Sequence, residues 1–88
     1  MGQIVQSGTP VNLSVSGAVS LTSGSLLGFY VNSTSSGVIN FKDGGSSGTA
    51  VTGNITPVIG FHRLPAYFTS SAYMTLVSGS INITAFFA

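Results

Sequence analysis

Apolar and polar side chains alternate one by one along much of this chain. The alternation is clearest in residues 11–16, 19–22 and 81–87. Successive side chains of a β-strand point to opposite faces of the sheet, so a period of two indicates strands with one buried face. No window of about 11 residues carries a convincing apolar stripe of a helix. The sequence therefore predicts an all-β protein.

Pairs of serine and glycine separate the alternating stretches, at residues 16–17, 23–24, 36–37 and 78–79. Turn residues at intervals of about 8 to 12 positions are typical of β-sandwiches and β-barrels. We therefore expect an antiparallel β-sandwich, jelly-roll-like, of about seven or eight short strands. The strands are predicted near residues 3–6, 11–15, 18–22, 26–32, 38–42, 50–56, 72–77 and 80–87.

The length of 88 residues allows one domain. We assign the sandwich to residues 11–88 and expect residues 1–10 to be an N-terminal arm or an edge strand. Residues 3–6 are suited to edge pairing, which Pro10 would end because proline lacks an N–H. The side chains predicted to face inward are Leu13, Val15, Leu27, Phe29, Val31, Ile39, Phe41, Leu76, Ile81 and Ile83.

Charged side chains make up only 3% of the residues, against about a quarter in typical domains. They are Lys42, Asp43 and Arg63, and the net charge is +1. Two basic side chains cannot neutralise a run of phosphates, so the sequence predicts no nucleic-acid binding. We also expect no signal peptide and no membrane span, because no stretch approaches about 18 apolar residues. Cysteine is absent, which excludes disulfides and thiolate metal ligands.

The titratable side chains are too few for most enzyme chemistry. A single acid rules out paired carboxylates. His62, Asp43 and a serine would formally supply a catalytic triad, but no G-x-S-x-G elbow is present. One histidine and one aspartate fall short of a metal ligand set, unless the ligands are shared across a symmetry axis. We therefore predict no catalytic residue, no metal and no cofactor.

Lys42 and Asp43 precede two glycines at residues 44–45. Aspartate and glycine are typical turn residues, so we interpret this stretch as a solvated hairpin end. A lysine beside a strand end discourages edge-to-edge pairing, and we expect Lys42 to have that role.

The segment GFHRLPAYF, residues 60–68, is the strongest candidate for an interface. Aromatic residues and arginine are enriched at interface centres. The alternative is that its apolar side chains fill one end of the sandwich while its two basic ones point to solvent. Pro57, Gly60 and Pro65 make the segment a poor central strand, so we expect a long loop. The candidate interface residues are Phe61, His62, Arg63, Leu64, Tyr67 and Phe68.

Three stretches carry a resemblance that covers the chain from about residue 23 to residue 88. They are SGSLLGFYVNSTSSGVINFKDG, GTAVTGNITPVIGFHRLPAYF and YMTLVSGSINITAFF. Together they resemble small β-sandwich virion proteins of tailed bacteriophages. The resemblance implies a protein made in the host cytoplasm that decorates or cements the capsid surface. It further implies trimers bound to the major capsid protein.

The scarcity of charge independently favours assembly. Charges are costly at interface centres, so a protein with most of its surface in contacts is expected to lose them. We therefore expect a homo-oligomer, with a trimer favoured. Two alternatives stay open: a tail, neck or fibre subunit, and a receptor- or glycan-binding module. For glycan binding the candidate aromatic residues are Tyr30, Tyr67 and Tyr73.

Overall fold

The computed structural model describes residues 9–88, which form one antiparallel sheet of six strands without a helix. The all-β class and the antiparallel pairing predicted from the alternation are confirmed. The strands are β1 (Thr9–Leu13), β2 (Gly17–Ser20), β3 (Gly24–Asp43), β4 (Thr49–Ala50), β5 (Gly60–Phe68) and β6 (Ala72–Phe87).

Two long strands form the centre of the sheet. β3 has 20 residues and β6 has 16, and they pair from Leu26 with Phe87 to Asp43 with Ala72. The sequence predicts four short strands here, separated by turns at residues 36–37 and 78–79. That prediction is wrong. The two strands become irregular at the same level of the sheet, and their pairing continues beyond the irregular residues.

The shorter strands flank this central pair on both sides. β1 pairs with the C-terminal part of β6, and β2 pairs with its N-terminal part. On the other side, β5 pairs with the N-terminal part of β3, and β4 pairs with its C-terminal end. One half of the sheet therefore has the order β1-β6-β3-β5, and the other half has the order β2-β6-β3-β4.

The buried core comes mainly from alternate residues of the two long strands. Its largest fully buried side chains include three phenylalanines, Phe29, Phe41 and Phe68. No polar or charged residue among residues 9–88 is buried. The core consists of Val19, Leu26, Phe29, Val31, Ile39, Phe41, Phe68, Ala72, Met74, Ile81, Ile83, Ala85 and Phe87.

Most of the inward-facing predictions are confirmed, and two are wrong. Leu13 and Leu76 are half-buried and pack against the core. Val15 is 65% exposed, because β1 ends at Leu13 and Val15 lies in the bend before β2. Leu26, rather than Leu27, is buried, because the pairing of β3 shifts register between residues 26 and 28 and reverses the alternation there.

Two predictions concern the N-terminal residues, a strand at residues 3–6 and the end of its pairing at Pro10. The predicted strand at residues 3–6 lies outside the described residues. Pro10 does not end strand pairing: it lies inside β1, opposite Phe86. Among the described residues β1 pairs only with β6, so it is an edge strand, where a missing N–H is tolerated.

The predicted strand at residues 50–56 is largely replaced by irregular backbone. β4 covers only Thr49–Ala50, and a single bridge joins Ile55 to Ile39. Between them, the Thr52 hydroxyl accepts a hydrogen bond from the Phe41 N–H at 3.2 Å. A side chain thus occupies a position that a strand would fill with a backbone carbonyl.

Candidate interface

Residues 60–68 form a strand, so the prediction of a long loop is wrong. Within residues 9–88, β5 pairs with β3 alone and is an edge strand of the sheet. Proline is tolerated in such a strand. Pro65 also falls opposite the register shift between Leu26 and Gly28, where regular pairing is interrupted. The edge position and the shift together explain why this proline does not break β5.

Alternation along β5 divides the candidate interface residues into two sets. Phe61, Arg63 and Tyr67 are exposed on the outer face of the sheet. The others point inward: His62, Leu64 and Phe68. The sequence alone does not decide whether this segment forms an interface or packs in the core. In the structure, alternate residues of the strand face outward and inward.

The inward residues are anchored in the core. The His62 ring stacks on Phe29 with centroids 5.2 Å apart, and its Nε2 lies 2.7 Å from the carbonyl oxygen of Val58. Phe68 is fully buried, with its ring 6.3 Å from that of Phe87. His62 is therefore not the solvent-facing residue that the core-packing alternative expects.

The outward residues belong to a larger aromatic surface. Tyr30 lies directly opposite Phe61 in the pairing of β3 with β5. The ring of Phe86, from β6, lies 6.2 Å from that of Phe61. Gly28 lies beneath them. A Cβ at this position would be 2.8 Å from the Phe61 ring, so glycine leaves room for this ring. The aromatic face, as we call it, consists of Tyr30, Phe61, Arg63, Tyr67 and Phe86.

Sequence reasoning did not assign Tyr30 and Phe86 to this interface. A signal for both was available in the alternation. Tyr30 lies between two buried residues of β3, and Phe86 lies between two buried residues of β6. What the sequence does not reveal is the register that brings Phe86 beside β5, since Gly28 pairs with Phe86 on one side and Arg63 on the other.

Arg63 is a cation without an internal partner among residues 9–88. It is exposed, and no hydrogen bond or ion pair from it is found within that part of the chain. The sequence holds only one acidic residue, Asp43, and this carboxylate is already engaged elsewhere. Within this part of the chain, all five donors of the guanidinium are therefore unoccupied.

The Asp43 carboxylate caps the turn between β5 and β6. It accepts hydrogen bonds from the Thr69 N–H and hydroxyl, both at 2.8 Å, and from the N–H groups of Ser70 and Ser71. These bonds, chiefly from the Thr69 N–H, lower the pKa of Asp43 to about 2. Asp43 lies at the end of the β3–β4 hairpin, as predicted, and it has a capping role for residues 69–71 that the sequence does not predict.

Lys42 does not lie at an edge of the sheet, so the role predicted for it is wrong. It lies inside the sheet, with Ala50 of β4 on one side and Tyr73 of β6 on the other. Its Nζ donates to the Ser46 carbonyl at 3.2 Å. The turn chemistry at residues 44–45 is confirmed, because both glycines have positive φ.

Replacing Asp43 with alanine is expected to lower the melting temperature at neutral pH, because three N–H groups lose their acceptor. The folded-state pKa lies below the ordinary value of 3.8. The stabilisation is therefore complete above about pH 4 and is lost as the pH falls through about 2. Thermal melts across this range should show the dependence in the wild type and not in Asp43→Ala. Lys42→Ala, at the neighbouring position, should retain it, and a pH-independent wild type would contradict this assignment.

Comparisons with protein-family models, with curated proteins and with solved structures find no match to this chain. Within residues 9–88, no three histidine, cysteine or acidic side chains come together as metal ligands. The same part of the chain has no helix with the length and apolarity needed to cross a membrane.

Proposed function

We propose that this chain is a non-enzymatic structural protein of a phage virion, a decoration or cement protein that stabilises the capsid as a homo-oligomer. The observation that carries the proposal is the aromatic face. Phe61 and Tyr67 are 56% and 64% exposed on an edge strand, in a chain with a net charge of +1. Exposed rings of this kind mark interaction sites, and nothing electrostatic opposes self-association.

We further infer that the sheet folds over itself into a β-sandwich of the jelly-roll-like kind. Phe29 and Phe41 are 12 residues apart on β3, which would separate them by about 40 Å in a straight strand. Their rings are instead 5.5 Å apart. This distance supports a strand that bends back at its irregular residues and places its two ends in facing layers.

Two observations support a role without catalysis. The only acid, Asp43, is occupied by residues 69–71. The only histidine, His62, is stacked on Phe29 and contacts the Val58 carbonyl oxygen. An acid–base pair must converge on a common reacting group, whereas each of these groups has a structural partner of its own.

The aromatic face suits contact with a neighbouring copy and with the major capsid protein. Its rings supply apolar area, and Arg63 supplies directional donors for carbonyl or carboxylate groups of the partner. In the virion, we assign the protein to the outer capsid surface, with a trimer as the favoured assembly. Its copy number in purified particles should then be close to that of the capsid protein, and only a few copies would indicate a tail or neck subunit.

The substitution Arg63→Ala is expected to weaken self-assembly or particle binding by about 1–3 kcal/mol, the range for a good interfacial anchor. Its side chain is exposed, so the core should remain intact. Sedimentation equilibrium measures the loss. Lys42→Ala is the matched control, because it also removes one positive charge but lies in the part of β3 that pairs with β4 and β6 rather than with β5. It should assemble like the wild type. Unchanged assembly and particle binding of Arg63→Ala would contradict this role.

A further inference from the structure

We propose that the outer surface of β1, β6 and β3, beside the aromatic face, is a binding site for a neutral oligosaccharide. Four polar side chains and one tyrosine form it. We call the polar set the amide cluster, which consists of Asn12, Asn32, Asn82 and Thr84. This proposal goes beyond the structural role. The site shares Tyr30 with the aromatic face, and the assembly contacts that we assign to Phe61, Arg63 and Tyr67 leave Tyr30 accessible to the sugar.

Hydrogen bonds across three strands fix the amide cluster in place. Asn82 Oδ1, from β6, accepts from Asn12 Nδ2 of β1 at 2.9 Å and from Asn32 Nδ2 of β3 at 3.0 Å. The Thr84 hydroxyl accepts from the same two amides, at 3.4 and 3.1 Å. Asn12 Nδ2 also donates to the carbonyl oxygen of Ile83 at 2.9 Å. Side chains that are already ordered lose little entropy when a ligand binds.

The cluster keeps polar groups that the fold does not use. Among residues 9–88, no partner is found for Asn82 Nδ2 or for the Oδ1 atoms of Asn12 and Asn32. The sheet thus presents an amide donor between two amide acceptors. Sugar hydroxyls both donate and accept hydrogen bonds, so a sugar can satisfy all three groups together.

Tyr30 supplies an apolar platform next to this cluster. It is 43% exposed and lies directly opposite Thr84 in the pairing of β3 with β6. Side chains of directly opposite residues are about 5 Å apart at Cβ. Asn32 is the next outward residue of β3, so the ring and the amides lie within reach of one ligand. An aromatic surface joined to a few fixed polar groups is the usual composition of a small-molecule site.

The charge of the site favours a neutral ligand. None of the four cluster residues carries a charge. A second copy of the chain is a poorer occupant. It would bury three amide groups, and each one left without a partner costs free energy. Three strands span about 10 Å, which provides room for a disaccharide unit of a longer chain.

Isothermal titration calorimetry of the full chain with maltohexaose, cellohexaose and chitohexaose tests the proposal. At least one of these neutral oligosaccharides is expected to bind with a Kd below about 1 mM, an affinity worth only about 4 kcal/mol. Tyr30→Ala and Asn82→Ala should each weaken this binding by at least about tenfold. Tyr73→Ala, which removes a tyrosine from the other half of the sheet, should bind like the wild type.

Two outcomes would overturn the proposal. One is that none of the three sugars produces heat, or a shift in the amide signals of Asn12 and Asn82, at concentrations of about 10 mM, at which even millimolar binding is visible. Another is equal binding by Tyr30→Ala and the wild type. Sedimentation of the wild type without sugar tests the structural role separately.

Discussion

Replacing Phe29 with alanine is expected to destabilise the protein by about 3–5 kcal/mol. Phe29 is 1% exposed, and its ring contacts Phe41 at 5.5 Å and His62 at 5.2 Å between centroids. The truncation would remove buried apolar area and leave a cavity bounded by both halves of β3 and by β5. A small domain has only about 5–15 kcal/mol of total stability, so this variant should be close to unfolding.

Urea unfolding measures this loss, with wild type and variant at one protein concentration, because assembly makes apparent stability depend on concentration. Leu21→Ala is the matched control. Leu21 is 85% exposed, so its truncation should change the stability by no more than about 0.5 kcal/mol. A loss below about 1 kcal/mol for Phe29→Ala would mean that Phe29 is not at the centre of the core.

Gly79→Ala is expected to cost at least about 2 kcal/mol, because it introduces both backbone strain and a steric clash. Gly79 has a φ of 71°, in the left-handed region that favours glycine. A Cβ at this position would be driven into the backbone of Ser36, on the facing strand. Ser36 itself has a φ of 53°, so the two long strands are irregular at one shared level.

The control for this variant is Gly53→Ala. A Cβ at Gly53 meets no atom within 4 Å, so alanine is expected to be tolerated there. Thermal melts of the two variants should therefore differ clearly, with Gly79→Ala melting lower. Equal melting temperatures would show that the irregular level of β3 and β6 does not require glycine.

Alternation predicts the strands well, but it does not predict which of them are continuous. Residues 36–37 and 78–79 have turn chemistry, and each taken alone is a reasonable place to end a strand. They lie opposite each other across the β3–β6 pair, where Ser36 and Gly79 have positive φ and the pairing shifts register. This register depends on contacts between residues that are distant in sequence, so the local pattern of either stretch does not predict it.

The local structure of the candidate interface differs from the one predicted. The prolines and glycine around residues 60–68 indicate a loop, whereas the edge position of β5 permits a strand. Once the segment is a strand, the alternation separates Phe61, Arg63 and Tyr67 from the core residues between them. The capping role of Asp43 could not be predicted from the sequence either, because its partners at residues 69–71 are 26 to 28 positions away.

We propose that the aromatic face drives assembly of an almost uncharged chain. Sedimentation velocity of the wild-type protein at micromolar concentration is the decisive test. We predict a homo-oligomer with the mass of a trimer, where one chain is 8.9 kDa, and a shift toward monomer in Arg63→Ala. A stable, soluble wild-type monomer at that concentration would contradict the claim, because Phe61 and Tyr67 would then be exposed without a partner.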